Sequence, residues 1–378
     1  MAETAAAAAR AAPTAPVLVA AGGTGGHLFP AEALAAALRT RGVEVHLVTD
    51  RRAERYGGGF PEAWTHVVAS ETLRGKNPVA LARTAAKLAQ GFVQSRRLIA
   101  QLRPVAVVGF GGYPTIPPVL AAAFAGVPSL IHDANAVIGR ANRLLAPRVT
   151  AIATSFPDVF AAEPALAAKA TLTGNPVRPA VVAAAAIPYP PPGEALKLLV
   201  FGGSQGARVM ADVVPAAIGL LDPAVRARLS IVQQARDEDL ARVRDAYAGL
   251  KIAAEVAAFF PDLPARIAQS HLIVSRSGAS TVAELGAIGR PAVLVPLPHA
   301  LDQDQFANAG VLERAGGAIR LGQNDFTPRR LAAELQALAA TPARLSGMAA
   351  AARSAGRLDA AERLADLVLK VAADRARQ

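Results

Sequence analysis

The sequence predicts an α/β protein built from two similar halves, each with a parallel sheet between helices. The first observation is a repeated unit, in which a short apolar run leads through a glycine-rich turn into a helical pattern. It spans residues 16–41 and returns from residue 196 onward. The second is a strand, a helix, a Gly-X-Pro turn and a strand, found at 105–131 and again at 271–296. Alternating strands and helices imply parallel strands with right-handed crossovers, and ligands then bind at the carboxyl ends of the strands.

The length of 378 residues indicates two domains, at about 150 residues per domain. We predict a disordered leader at 1–15, an N-terminal domain at 16–176, a linker at 177–195 and a C-terminal domain at 196–350. The linker is expected because proline and glycine are frequent there. A last helix lies within 351–378, and crossing back to the N-terminal domain is one alternative for its packing.

Composition excludes several classes of protein. The chain has no cysteine, which excludes a disulfide framework, and its six histidines lack the spacing of a metal site, so no metal is expected. The net charge of +11 favours an anionic partner: nucleic acid, a phosphorylated ligand or an acidic membrane surface. The uncharged segment Pro104–Ile131 is interrupted by prolines and glycines, which favours a buried α/β segment over a membrane span.

Two glycine turns are candidate phosphate sites: Gly22-Gly-Thr-Gly-Gly-His27 and Gly202-Gly-Ser-Gln-Gly206. Each follows a strand and opens a helix, where free amides favour phosphate oxygens. Neither matches GxGxxG or a P-loop, and a tight strand-to-helix connection is the alternative for each. The segment Ser275–Glu284 also enters a helix, where Glu284 either binds paired sugar hydroxyls or only complements the helix dipole.

His27 is a candidate general base because an imidazole can take a proton from a hydroxyl, with helix capping as the alternative. Asp302 and Asp304 have the spacing of a DxD metal motif, but such short acidic matches often arise by chance. The segments 132–135 and 298–305 follow strands and are polar, as recognition loops are.

These motifs, in this order, resemble the MurG family of bacterial transferases, which add N-acetylglucosamine to a lipid-linked muramyl-pentapeptide in peptidoglycan synthesis. The resemblance runs from Val17 to Ala309 and rests on Gly22–Ala31, Gly111–Thr115, Gly174–Arg178, Gly202–Arg208 and Ser275–Ala279. It implies a GT-B fold of two Rossmann-like, doubly wound domains facing a cleft. It also implies an inverting, metal-independent transfer to the C4 hydroxyl of the acceptor, with no cofactor, the lipid acceptor on the N-terminal domain and the nucleotide sugar on the C-terminal one.

The resemblance also implies site residues. His27 is the candidate base, with Asp133 as the alternative, and Glu284 would hold the ribose hydroxyls. The contacts to UDP-N-acetylglucosamine would be Thr24, Gly25, Gly26, Asn135, Arg178, Ser204, Phe260, Ala279, Ser280, Thr281, Val282, Ala283, Glu284 and Gln305. Two departures are the sequence His132-Asp-Ala-Asn135, where the family commonly has His-Glu-Gln-Asn, and an extra residue before Gln305 that makes Gln303 an alternative.

The implied partners are UDP-N-acetylglucosamine, undecaprenyl-pyrophosphoryl-muramyl-pentapeptide and an anionic membrane surface, with no nucleic acid. We expect a peripheral location on the cytoplasmic face of the inner membrane.

The segment 72–131 has no acidic residue and seven basic ones. In it, a helical stripe of Leu81, Ala85, Leu88, Phe92 and Ile99 opposes Arg83, Lys87 and Arg97, and this stripe either lies in the bilayer interface or packs on the sheet. Rival functions are a different GT-B transferase, such as one that glucosylates diacylglycerol, and a non-catalytic binding protein.

Overall fold

A computed structural model describes residues 15–22, 25–51, 60–72, 77–190, 193–203, 206–298 and 303–377. The predicted leader lies outside these residues except for its last position. Among the residues described, no helix has the length and apolar composition needed to cross a membrane.

The strands fall into two groups along the chain. The first group is β1 Val17–Ala20, β2 Val45–Thr49, β3 Thr65–Val67, β4 Ala106–Gly109, β5 Ser129–Asp133, β6 Ala151–Thr154 and β7 Ala170–Leu172. The second group is β8 Leu196–Phe201, β9 Leu229–Gln234, β10 Ala254–Ala257, β11 Leu272–Ser275, β12 Ala292–Leu294 and β13 Ala318–Arg320.

Helices lie between most consecutive strands, and three more follow the last strand. In the first half they are α1 Gly25–Arg39, α2 Pro78–Leu102, α3 Ile116–Phe124, α4 Arg140–Leu145 and α5 Pro164–Ala167, followed by α6 Pro179–Ala185. In the second half they are α7 Arg208–Gly219, α8 Pro223–Arg226, α9 Leu240–Gly249, α10 Leu263–Gln269, α11 Ala279–Ile288, α12 Asp304–Ala315, α13 Pro328–Ala340, α14 Pro342–Ala355 and α15 Ala360–Ala376.

The first group forms a seven-stranded parallel sheet in the order β3-β2-β1-β4-β5-β6-β7. Alternate residues of its strands pack on opposite faces, as the pleat requires. Val19 and Val108 pack with α1 and α15, whereas Leu18 and Val107 pack with α2, α3 and α4. Both faces are therefore covered, which explains the nearly continuous apolar runs of these strands.

The second group forms a six-stranded parallel sheet in the order β10-β9-β8-β11-β12-β13. Leu198 and Val274 on one face pack with residues of α7, α9 and α13. Leu199 and Ile273, which alternate with them, are fully buried as well. The strand order reverses between β8 and β11, as it does between β1 and β4, and the crevice at such a switch point is the usual ligand site of this architecture.

The chain divides into two compact units. Of the described residues, the first unit takes those within Met1–Ala134, Ile138–Pro176 and Asp359–Gln378, and the second takes Asn135–Val137 and those within Val177–Leu358. Helix α15 belongs to the first unit, where Leu364 and Val368 join the core formed with α1. Arg41, which follows α1, also bonds the carboxylates of Glu362 and Asp366, the latter at 2.7 Å.

Candidate active site

The carboxyl edge of the seven-stranded sheet presents the first glycine turn. β1 ends at Ala20, and α1 begins at Gly25, with Gly26 exposed. The first amides of a helix have no partner within the helix, so this edge offers donors to an anion. Thr24 lies outside the residues that the structure describes.

His27 lies in the first turn of α1, against the turn that follows β4. A Cβ added to Gly111 would come within 3.3 Å of the His27 ring, and Gly111 has φ of +91°, a conformation that L side chains rarely adopt. The Phe110 backbone accepts a hydrogen bond from the ring, whereas Nδ1 is buried and has no partner among the described residues. Burial lowers the pKa of His27, so the imidazole is neutral at neutral pH.

Asp133, at the end of β5, is almost completely buried. Its Oδ2 accepts from the amide of Gly139 at 2.9 Å and from Nδ2 of Asn142 at 3.0 Å. Asn142 also donates to the carbonyl of His132 at 3.0 Å. Oδ2 of the carboxylate therefore holds the backbone that leads into α4.

His132 adds a second buried imidazole to this edge. Its Nε2 lies 3.1 Å from the carbonyl of Gly174, and its ring centroid lies 5.3 Å from that of Phe110. Burial lowers the pKa of His132 to about 4, with a further lowering by the nearby His27. The first unit thus places two neutral histidines at the ends of its strands.

In the second unit, the turn after β8 closes tightly before α7. A Cβ on Gly202 would lie 2.2 Å from the amide nitrogen of Ala207, so only glycine fits at this position. The amide of Gly202 donates to Oε1 of Gln234 at 3.0 Å, which ties the turn to the end of β9. Ser204 lies outside the described residues.

Helix α11 carries the predicted segment Ala279–Glu284 at the end of β11. Val282 packs in the core, whereas Ala279, Ser280, Thr281 and Ala283 are partly exposed. Glu284 is buried and lies 3.2 Å from Nη2 of Arg178, measured to its Oε1. Burial raises the pKa of Glu284, and the Arg178 guanidinium opposes that rise.

In the second unit, Asn135 is held by Asn308, to which the sequence analysis gave no role, and Gln305 is held by Ser277 of the predicted segment Ser275–Glu284. Nδ2 of the buried Asn308 donates to Oδ1 of Asn135 at 3.0 Å, and Oδ1 of Asn308 accepts from the Ala136 amide at 2.8 Å. Ser277 donates to the carbonyl of Gln305 at 2.8 Å. Asn308 bonds a residue 173 positions earlier in the chain, a contact that no local sequence pattern reveals.

Phe260 follows β10, and its side chain is buried under the guanidinium of Arg266, 4.4 Å from the ring centroid. Its neighbour Phe259 is 66% exposed. An exposed aromatic ring at a strand end offers a stacking surface for a planar base. The adjacent aromatic pair Phe259-Phe260 is the sequence signal for Phe259, and the family resemblance implied only Phe260.

Among the residues described, no group of three or more histidine and carboxylate side chains is arranged to hold a metal ion. Asp302 of the DxD motif lies outside those residues. The absence of a metal requirement therefore stays a prediction.

The fold and the two strand-end sites define a glycosyltransferase of the GT-B class. The profile of the glycosyltransferase family 28 N-terminal domain matches residues 17–154, and that of the family 28 C-terminal domain matches residues 197–364. The chain belongs to glycosyltransferase family 28.

Relatives with high identity match nearly the whole chain. A protein of Rhodopseudomonas palustris (strain BisB18) is 66% identical over 94% of this chain and 96% of its own length. One of Nitrobacter hamburgensis is 64% identical over 94% of this chain and 97% of its own length. Both are named UDP-N-acetylglucosamine--N-acetylmuramyl-(pentapeptide) pyrophosphoryl-undecaprenol N-acetylglucosamine transferase. The crystal structure of Acinetobacter baumannii MurG, 28% identical, has a TM-score of 0.76 over 94% of this chain and 99% of that one. These similarities bear out the predicted family and fold class.

Proposed function

We propose that the chain transfers N-acetylglucosamine from UDP-N-acetylglucosamine to the C4 hydroxyl of undecaprenyl-pyrophosphoryl-N-acetylmuramyl-pentapeptide. The observation that carries the proposal is the 66% identity to a transferase of that name over 94% of this chain. The product is the disaccharide lipid of peptidoglycan synthesis, and UDP is the second product.

The test is a turnover assay of the purified chain with radiolabelled UDP-N-acetylglucosamine and the muramyl lipid. We expect equal amounts of UDP and disaccharide lipid, with label in the lipid. A parallel reaction with diacylglycerol tests the rival GT-B transferase. Transfer to diacylglycerol alone, or binding of the donor without turnover, would contradict the proposal.

In the proposed reaction His27 is the general base. The His27 side chain is partly exposed, and the neutral ring carries one nitrogen with a lone pair that can accept the proton of the acceptor hydroxyl. The hydroxyl oxygen forms a bond to the anomeric carbon as the bond to UDP breaks on the opposite face. This single displacement inverts the anomeric configuration. The lowered pKa of His27 keeps the ring neutral, which is the form that accepts a proton.

The donor is proposed to bind the second unit. Its uracil would lie at Phe259 and Phe260, its ribose hydroxyls at Glu284, and its diphosphate at the turn after β8 and the first amides of α11. Negative charge grows on the diphosphate as the sugar leaves, and backbone amides fixed at helix ends stabilise it. Arg178, near Glu284, adds positive charge to this region.

We also propose peripheral attachment to an anionic membrane, on the cytoplasmic face of the inner membrane, through the first unit. The acceptor carries a polyprenyl chain, so its sugar head must be reached at a bilayer surface. On α2 the side chains of Leu81 and Ala85 are exposed, whereas Leu88 and Phe92 are partly buried and Ile99 is fully packed on the sheet. The predicted stripe therefore belongs to the core in its C-terminal half.

A different row of α2 supports the membrane proposal. Residues that share its outward face are apolar and exposed: Val79, Ala82, Ala86, Ala89 and Val93. Arg83, Lys87, Arg96 and Arg97 are exposed around that row. Phe124 of α3, 68% exposed, packs edge-to-face on Phe92 and extends the apolar surface. An apolar face with a basic border is typical of helices that lie on anionic membranes. Residues 73–76, which include Arg74 and Lys76, are outside the described part of the chain.

A further inference from the structure

We infer that Arg178 is a positioning residue for the donor nucleotide, acting through Glu284, whose carboxylate it orients and neutralises for the ribose hydroxyls. The inference rests on the proposed function, which places the ribose at Glu284. It differs from the role implied by family resemblance, in which Arg178 itself contacts the donor.

The geometry of the pair carries the inference. Arg178 is the N-cap of α6, and its backbone there is extended (φ −62°, ψ 153°), so its side chain leaves the helix before the first turn. α6 packs on α11, which carries Glu284. Nη2 of Arg178 and Oε1 of Glu284 lie 3.2 Å apart, with 24% of the arginine side chain and 8% of the glutamate side chain exposed.

The pair leaves part of the carboxylate available. Oε1 bonds Arg178, and Oε2 accepts no hydrogen bond from any residue that the structure describes. A ribose diol needs acceptor oxygens whose direction is fixed, and a carboxylate held at one oxygen meets that need. The arginine thus leaves an acceptor for the sugar while fixing its orientation.

Charge is the second part of the inference. A carboxylate buried without a partner tends to take up a proton, and burial does raise the pKa of Glu284. The helices that contact α11 carry other charged groups: Arg266 of α10, Asp304, Glu313 and Arg314 of α12, and Arg344 and Arg353 of α14. Arg266 pairs with Asp262 and Glu255, Glu313 pairs with Arg320, and Arg353 bonds backbone carbonyls. Arg178 is the group that opposes protonation of Glu284.

The test measures the binding of uridine, which has no phosphate, and of UDP to the wild-type chain and to Arg178→Gln and Arg178→Lys between pH 4.5 and 8.5. We expect Arg178→Gln to weaken the binding of both ligands. The affinity of Arg178→Gln should also fall as pH drops through the raised pKa of Glu284, down to the affinity of a variant without the carboxylate, because protonation removes the anionic acceptor. Arg178→Lys keeps the charge and should flatten this profile.

Two controls separate a positioning role from a structural one. Binding of 2′,3′-dideoxyuridine should be the same in the wild type and Arg178→Gln, and the double variant Arg178→Gln/Glu284→Gln should lose the pH dependence. If Arg178→Gln weakens the binding of UDP by the same factor at every pH and leaves the binding of uridine unchanged, Arg178 acts directly on the diphosphate and the inference is wrong. A wild-type chain that binds neither uridine nor UDP would instead overturn the proposed function.

Discussion

The two carboxyl edges are built from the same strand–turn–helix unit but carry different side chains. In the first unit the edge holds His27 and His132, which burial keeps neutral. In the second unit it holds the ion pair of Arg178 and Glu284 and an amide network around Asn308. The repeated backbone supplies helix N-termini to both edges. In the proposed function it is therefore the side chains that distinguish an edge for proton transfer from an edge for donor binding.

Replacing His27 with alanine is expected to have the largest effect, because it removes chemistry from the first unit without touching the second. We expect kcat to fall by about 10²–10⁴, the usual contribution of a positioned general base. Donor affinity, measured by UDP titration, should stay the same. His66→Ala in the same unit is the matched control, with kcat unchanged. A comparable loss of donor affinity in His27→Ala would show that His27 supports the fold rather than the reaction.

Acid should destabilise the first unit before the second. His27, His66 and His132 have lowered pKa values in the folded state, so below about pH 6.5 the unfolded chain takes up protons that the folded unit does not. Stability is then lost as pH falls, and a shift from 6.5 to about 4 for His132 costs roughly 3 kcal/mol by pH 4. The contribution of Glu284 to the pH dependence of stability has the opposite sign, because its raised pKa favours the folded state as pH falls.

Amide hydrogen exchange resolved by unit, at pH 7 and pH 5, measures this difference. His132→Gln should flatten the pH dependence of the first unit, whereas His271→Gln in the second unit should leave that dependence as it is. Equal loss of protection in both units would contradict the comparison.

Glu284→Ala should weaken donor binding by about 1.5–3 kcal/mol, the range for a hydrogen bond to a charged group. The matching change in the ligand is 2′-deoxy-UDP-N-acetylglucosamine. If carboxylate and hydroxyl interact, the double change should cost less than the sum of the single changes. Additive losses in this cycle would place the ribose elsewhere. His27→Ala combined with Glu284→Ala should be additive, since chemistry and donor binding belong to different units.

The sequence predicted the repeated part of the fold well because that part depends on local patterns. The segment 104–131 is indeed β4, α3 and β5, as its prolines and glycines indicated. Helix α6 was missed within the predicted linker at 177–195, because the surrounding prolines hid a short alanine-rich helix that begins after Arg178. The predicted stripe of α2 was only partly right, since Leu81 and Ala85 in its N-terminal half are exposed whereas Ile99 packs with residues of the sheet.

Site residues were predictable where a motif spans them and unpredictable where the contact is between distant segments. Glu284 stands in a motif, but its partner Arg178 lies 106 residues earlier, and the sequence did not join them. The burial of Asp133 and its bonds to Gly139 and Asn142 also depend on tertiary structure. Such contacts can be identified only from the folded structure, because residues far apart in the chain share no periodic sequence pattern.

The smallest expected effect is on membrane binding, and it compares exposed helices of the two units. Each basic side chain near an anionic surface contributes about 1 kcal/mol, and salt screens it. Lys87→Glu/Arg97→Glu on α2 should therefore reduce cosedimentation with phosphatidylglycerol vesicles, and high salt should weaken wild-type binding. The matched control is Arg329→Glu/Arg344→Glu, which reverses two exposed charges on α13 and α14 of the second unit. Because this pair lies outside the proposed surface, its vesicle binding should stay close to that of the wild type. Equal losses in both double variants would indicate attraction by net charge alone and no membrane-binding face on α2.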